Sequence, residues 1–422
     1  MNASGLTTLP KPNPLRTPYL FRTARFVLGF KLTPLGRGAA VLLFFSAMGL
    51  VTVDIPIYQI FCGLVALLGA VEFTGTILGP RLSVRAEIPA VGTVGEPILG
   101  TVRVVNQGML PAFDLMAGIF RGPSAIRQVD ADEFLPHLPR NAEAAIPVRL
   151  VGIQRGVYQL PGVNVHSTFP MNFMRFGGNE TPRTTLTVVP RYHALEEFVI
   201  PFSNRYQPGG VTHVNGVGQS PEYLGNREYV AGEPVRRLDF RAWARLGRPV
   251  VREYQEEYYC RVALVLDTFV PARWTVRKRV HPEFEAAVSL MAAVAEAIDH
   301  ENFAVDIFAA GPEMYVFRSQ AGQGRLDAVL EILAGVDVCR RNPFEHLTPA
   351  LEQNLESIST VVCLLLDWDE SRRQFVEKVA EAGCATRVLV VRTQPPTEPL
   401  PALESYSQVD PAAVARGDVR VL

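Results

Sequence analysis

The chain has 422 residues, 41 of them basic and 42 acidic, a formal net charge of −1 and a mean hydropathy of +0.13. That length exceeds one ordinary domain, and the balanced charge excludes a global field that would draw it to nucleic acid. Five scattered cysteines, Cys62, Cys260, Cys339, Cys363 and Cys384, form no C-x-x-C; they argue against a disulfide framework or a zinc site and fit reduced thiols in a cytosolic body.

Residues 1–37 carry six cations and no acid. "GAAVLLFFSAMGLVTV" and "IPIYQIFCGLVALLGAV" follow, broken by "VDIP". Together they are too long for one span of about 20 residues and suit two. The expectation is a transmembrane hairpin over 38–79, with spans at 38–53 and 57–78 and a tight turn at Pro56. Cations precede the first span, and Arg81 and Arg85 follow the second, so the positive-inside rule puts both termini in the cytoplasm. The apolar region starts too late and runs too long for a cleaved signal peptide, and prolines spoil the amphipathic helix of a transit peptide. Glu72, an acid within an apolar helix, is either functional or snorkels to the interface.

From 82 to 190 short alternating runs such as "LSVRAEI", "ILGTVRVVN" and "TTLTVVP" recur at about ten-residue spacing, punctuated by Gly, Pro and Asn. They predict a β-sandwich-like region without recognisable chemistry. Residues 191–225 read as a Gly/Pro-rich connector, because no G-K-[ST] follows the glycines to make a phosphate loop.

Residues 226–257 are an arginine-rich segment. Arg227–Glu257 holds seven arginines, no lysine and six carboxylates. "VRRLDFRAWARL" has helical spacing, with Leu238, Ala242 and Leu246 on one face and Arg237, Arg241 and Arg245 on another. Like charges at that spacing repel, so the stripe calls for partners. Internal carboxylates are the favoured ones, and a phosphate or a protein surface are the others. The near balance of acids and arginines leaves few phosphates that could be neutralised, which argues against nucleic acid.

From 258 to 395 strands and helices alternate: "CRVALVLDT", "PEFEAAVSLMAAVAEAIDH", "FAVDIFAA", "MYVFRS", "GRLDAVLEILAGV", "LTPALEQNLESI", "TVVCLLLD", "SRRQFVEKVAEAG" and "TRVLVVRT". This order predicts a doubly wound α/β domain, followed by a tail over 396–422. Asp267 and Asp367 end two apolar strands, where such sheets bind ligands, and Thr348 opens a helix. The layout resembles the von Willebrand factor A domain. That family's Mg²⁺ site uses D-x-S-x-S, a later Thr and a later Asp, the hard oxygen donors Mg²⁺ requires. Here Phe269 and Pro271 stand where the serines belong, so Asp267, Thr348 and Asp367 read as an eroded metal site with no resident ion.

"YVAGEPVRRLDFRAWARL" also resembles the signature of domain of unknown function 58, roughly Y-x-x-G-D-D-x-R-x-I-D-W-x-x-x-A-R, through Tyr229, Gly232, Arg236, Leu238, Asp239, Ala244 and Arg245. Glu233 and Pro234 replace the acidic pair, and Phe240 the Trp. The resemblance implies a bacterial protein of the inner (cytoplasmic) membrane, associated with a MoxR-type AAA+ ATPase in the assembly or maturation of other proteins. Tyr229, Gly232, Arg236, Asp239, Arg241 and Arg245 are then the expected partner-binding or structural residues. No H-E-x-x-H or other catalytic constellation is recognisable, so the leading expectation is a non-enzymatic adaptor without a cofactor. The alternatives are a phosphate- or nucleotide-binding protein or enzyme acting through the arginines, and a metal-dependent adhesion domain.

Overall fold

The computed structural model describes residues 27–49, 55–120, 122–129, 133–201, 217–230, 238–255, 261–271, 281–300, 304–310, 314–318, 325–352, 355 and 358–422. The chain divides into two compact units, Met1–Gln154 with Tyr158–Leu186, and Arg155–Val157 with Thr187–Leu422.

The first unit begins with a π-helical turn, Val27–Lys31, and two helices, α1 (Pro34–Gly49) and α2 (Ile55–Ile77), which pack together. Thr33 starts α1. Its hydroxyl accepts from Gly36 N at 3.1 Å, and Pro34 follows it, where a missing N–H costs nothing. Ile57–Ile77 is long and apolar enough to cross a membrane, whereas the apolar run Pro34–Met48 is shorter.

Eleven strands follow: β1 (Leu82–Glu87), β2 (Val91–Thr93), β3 (Pro97–Asn106), β4 (Ala112–Ile119), β5 (Ile126–Gln128), β6 (Phe134–Leu138), β7 (Glu143–Gly152), β8 (Gly156–Leu160), β9 (Val163–Ser167), β10 (Phe176–Glu180) and β11 (Thr184–Val189). Two antiparallel sheets, β1-β3-β7-β5 and β10-β9-β4-β6, and a smaller one, β2-β11-β8, result. In β3, and in β7 from Ile146 onward, every second side chain is buried, as expected of strands with one covered face.

In the second unit β12 (Val217–Glu228) pairs antiparallel with β13 (Val250–Gln255), and α3 (Phe240–Leu246) lies between them in sequence. The connector expected over 191–225 therefore ends in a strand. Its pairing partner lies some thirty residues downstream, so local pattern does not reveal it. The connector's first residues also have a place, since Ile200 is buried in the α/β core.

The α/β sheet comprises β14 (Arg261–Leu266), β15 (Ala304–Ala310), β16 (Met314–Arg318), β17 (Thr360–Leu365), β18 (Ala385–Val391) and β19 (Tyr406–Val409). Their order is β16-β15-β14-β17-β18-β19, all parallel except β16. Within the unit this is order 3-2-1-4-5-6. Helices α4 (Pro282–His300), α5 (Arg325–Gly335), α6 (Phe344–Glu352), α7 (Glu370–Glu381) and α8 (Pro411–Arg416) complete it. Alternate residues of β14 serve two cores. Val262, Leu264 and Leu266 pack with α4, while Ala263 and Val265 pack with Phe344, Leu347 and Phe375 of α6 and α7. Burial on both faces explains why these strands are apolar without alternation. The unit does not stop at 395. The segment read as a tail supplies β19, and α8 contributes Val414 to the core.

Candidate functional site

Strands β14 and β17 are neighbours at the point where the strand order reverses, and Asp267 and Asp367 follow their carboxyl ends. The two aspartates come together but are committed internally. Asp267 Oδ1 accepts from Phe269 N at 2.8 Å, and Oδ2 accepts from Leu366 N at 2.9 Å and Arg372 Nε at 2.7 Å. Three of the roughly four lone-pair positions of a carboxylate are thereby used. Arg372 also donates from Nη1 to Asp369 Oδ2 at 2.6 Å and from Nη2 to Phe269 O at 3.2 Å. Its guanidinium lies over the Phe269 and Phe344 rings at 5.4 and 5.6 Å.

Arg372 is only 1% exposed and Asp267 is fully buried. Burial alone would lower the arginine's pKa. Asp267 and, less strongly, Asp369 and Asp367 outweigh it and raise the value above the ordinary one. A guanidinium thus neutralises the buried Asp267 carboxylate.

Asp367 accepts from Trp368 N and Thr397 N, each at 2.9 Å, and from Thr397 Oγ1 at 2.7 Å, and it pairs with Arg392. Burial raises its pKa, but the Thr397, Arg392 and Trp368 hydrogen bonds prevail and hold it below the ordinary carboxylate value. Thr348 does not join the aspartates. It lies on α6, and its hydroxyl donates to Phe344 O at 2.7 Å. Around it a cleft of about 230 Å³ is lined by Asn342, Glu345, Ser371, Gln374 and Lys378 among others. Among the described residues no group of three or more His, Cys, Asp or Glu could hold a metal ion.

Sequence reasoning missed Arg372. A signal existed: Arg372 falls in the first turn of α7, behind its N-cap Asp369. A cation there opposes the helix dipole, so it needs a specific anionic partner.

The arginine segment differs from expectation in extent and pairing. Its helix starts only at Phe240, because Asp239 caps it by accepting from Arg241 N and Ala242 N at 3.0 Å each. An aspartate favours this position over a helix interior, where it competes with the backbone. Of the expected apolar face, Ala242 is buried but Leu246 is exposed. Phe240 and Trp243 are exposed and stacked, with ring centroids 6.1 Å apart. Arg248 pairs with Glu228. The Arg241 and Arg245 side chains, by contrast, are exposed, and among the described residues neither guanidinium meets a carboxylate. Of the carboxylates expected to pair with the stripe, Glu233, Glu256 and Glu257 lie outside the described residues. Tyr229 anchors the ribbon by donating its backbone N–H to Pro249 O at 3.0 Å. Gly232, Arg236 and Arg237 lie outside the described residues.

In the first unit Lys31 Nζ meets Glu72 Oε1 at 3.0 Å and lies 4.4 Å from the Phe176 ring centroid. This pair gives the acid of α2 a counter-charge. Arg175 donates from Nη1 to Phe30 O at 2.7 Å and to Leu32 O at 3.2 Å, tying the segment before α1 to the sheets. Beneath it His166 is buried among Phe30 and Phe120. Burial, assisted by the Arg175 charge, pushes its imidazole pKa down to about 3.

Residues 225–416, which include most of the arginine segment and nearly all of the α/β unit, match the family described as "Protein of unknown function DUF58". No curated protein matches the chain. Among solved structures, the chain is similar at 11% identity to native alpha-2-macroglobulin from Escherichia coli, over 30% of this chain and 18% of that one, with a TM-score of 0.22. The CARDB domain of the PF1109 protein from Pyrococcus furiosus is 17% identical over 28% of this chain and 99% of its own, with a TM-score of 0.19. The SrpA adhesin from Streptococcus sanguinis is 10% identical over 30% of this chain and 68% of its own, also with a TM-score of 0.19. The chain spans less than a fifth of the first of these, and likenesses this weak carry no argument about fold or function.

Proposed function

This chain belongs to the DUF58 family through residues 225–416, and on that premise we propose that it is a membrane-tethered, non-enzymatic docking protein. Both α1 and α2 cross the bacterial inner membrane, and both termini are cytoplasmic. The α/β unit is a von Willebrand A-like domain that has exchanged its metal for an arginine. The partner implied by the family resemblance is a MoxR-type AAA+ ATPase, served in the assembly or maturation of other proteins.

The observation that carries the docking role is α3. A short helix with stacked Phe240 and Trp243, and with Arg241 and Arg245 free of acids among the described residues, is the composition of a protein-binding surface. The Arg372–Asp267 pair supports a docking role that needs no ion. Exposed Leu42, Phe44, Phe45 and Met48 on α1 and Ile60 and Phe73 on α2 support burial of both helices in lipid.

The test is retention of the purified MoxR-type ATPase from the same source by the full chain in mild detergent. Retention by the native chain and its loss in R241E/R245E is the expected result. Equal retention by both chains, or by neither, would overturn the reading.

A further inference from the structure

We propose that the end of the β-rich unit next to α1 and α2 seats on an anionic lipid surface. Met109, Leu110 and Met171 enter the acyl boundary, and Arg37 and Arg81 face headgroup phosphates. This rests on the reading of α2 as a membrane-crossing helix.

Position is the first argument. The loop after β3 lies against the residues that leave α2, since Gln107 N donates to Arg81 O at 2.9 Å. The loop between β9 and β10 lies against the first turn of α1. There the Thr33 hydroxyl donates to Asn172 O and, at 3.1 Å, to Phe173 O, and Thr33 N donates to Phe173 O at 3.1 Å. The loop between β9 and β10 also meets the start of β4, the strand into which the loop after β3 leads: Thr168 N donates to Asp114 O at 3.1 Å, and the Phe113 and Phe169 ring centroids are 5.2 Å apart. Both loops therefore border the place where the apolar helices leave the unit.

The second argument is what these loops expose. Met109 is 79%, Met171 63% and Leu110 48% exposed. Met171 and Asn172 are held at positive φ, 62° and 54°, a conformation that non-glycine residues rarely adopt. The loop is fixed with its methionine outward, for Asn172 N donates to Thr168 O at 3.0 Å and Arg175 N to Lys31 O at 2.8 Å. Large apolar side chains on pinned loops beside an apolar helix match what an interfacial protein inserts at the boundary of headgroups and acyl chains.

Charge selects the lipid. Arg37 and Arg81 are exposed, and among the described residues neither meets a carboxylate; Arg37 has only a 3.5 Å contact to Gly29 O. Glu72, the carboxylate of α2, is taken by Lys31. Each such cation favours an anionic over a neutral surface by about fivefold.

The experiment uses the full chain reconstituted in vesicles whose acyl chains carry bromine, with and without about one-third phosphatidylglycerol, and reads the fluorescence added by single tryptophan substitutions. Y58W, on the exposed face of α2, reports whether that helix is in lipid. L99W is the control away from lipid, since Leu99 lies seven residues along β3 from Asn106, about 23 Å at strand rise. M109W and M171W are expected to lose at least about half of their added emission in anionic vesicles, with L99W unaffected. R37E/R81E is expected to lower that quenching several-fold while leaving Y58W quenched. Quenching of Y58W with M109W and M171W no different from L99W overturns the seating and leaves the anchor standing. Quenching that is equal in neutral vesicles and indifferent to R37E/R81E overturns the anionic selection. An unquenched Y58W overturns the anchor and the seating together.

Discussion

Replacing Arg372 by methionine keeps a side chain of similar reach over Phe269 and Phe344 but removes the guanidinium. Three hydrogen bonds disappear, to Asp267, Asp369 and Phe269 O, two of them to carboxylates. Asp267 is left fully buried without its cation, with the Phe269 and Leu366 amides as its remaining donors among the described residues. Breaking a buried pair from one side costs about 3–5 kcal/mol. In a unit of this size that lowers Tm by roughly 6–20 °C. D267N/R372M removes both charges and is expected to regain part of the loss. The assay is thermal unfolding of the detergent-solubilised full chain, followed by tryptophan emission, with buried Trp368 next to Asp367 in the chain as a reporter. Mg²⁺ is expected to leave the native Tm unchanged, because a ligand that does not bind the folded state cannot stabilise it. An R372M chain within about 2 °C of native, a scale under 1 kcal/mol, or a double variant no better than R372M, would refute the argument that Arg372 stabilises the fold by neutralising Asp267.

His166 gives a pH dependence whose sign follows from its lowered pKa. The unfolded imidazole takes up a proton near 6.5, while the buried one stays neutral until about 3. Its contribution is complete above pH 6.5 and declines as pH falls toward 3, by up to about 1.4 kcal/mol per pH unit; H166Q should flatten that slope in urea titrations of the first unit. D239A removes the cap of α3 at a cost of about 1 kcal/mol, read as faster hydrogen exchange over 240–246 with the α/β sheet unchanged. Burial, with a smaller push from Asp267, raises the Cys363 thiol to about 12. At pH 8 it should therefore resist iodoacetamide until the chain unfolds, while partly exposed Cys339 is modified in the native state, as peptide mass spectrometry would report.

Elements with a strong period were legible. Alternation in "ILGTVRVVN" gave β3, and the unbroken apolar runs of β14 and β17 gave strands covered on both faces, because the pattern of burial is written residue by residue. The last strand and helix were not, since "YSQV" is short and half polar and is a strand only because β18 offers it an edge. The start of α3 was mistaken because helical spacing extends through Asp239, whereas its side chain caps the amides beyond it.

The sequence by itself determined that Asp267 and Asp367 stand at strand ends and that Phe269 and Pro271, which follow Asp267, bring no side-chain oxygen beside it. Only the tertiary structure decided what neutralises the aspartates, because Arg372 is 105 residues from Asp267 and reaches it through the packing of α7 on the sheet. Composition likewise established an arginine-rich segment with nearly matching acids. Which arginines find those acids depends on where the backbone turns, and Arg248 finds Glu228 across the ribbon while Arg241 and Arg245 on α3 face outward. Local periodicity records the burial of each residue along its own element. Pairing of charges across elements is a property of the folded chain.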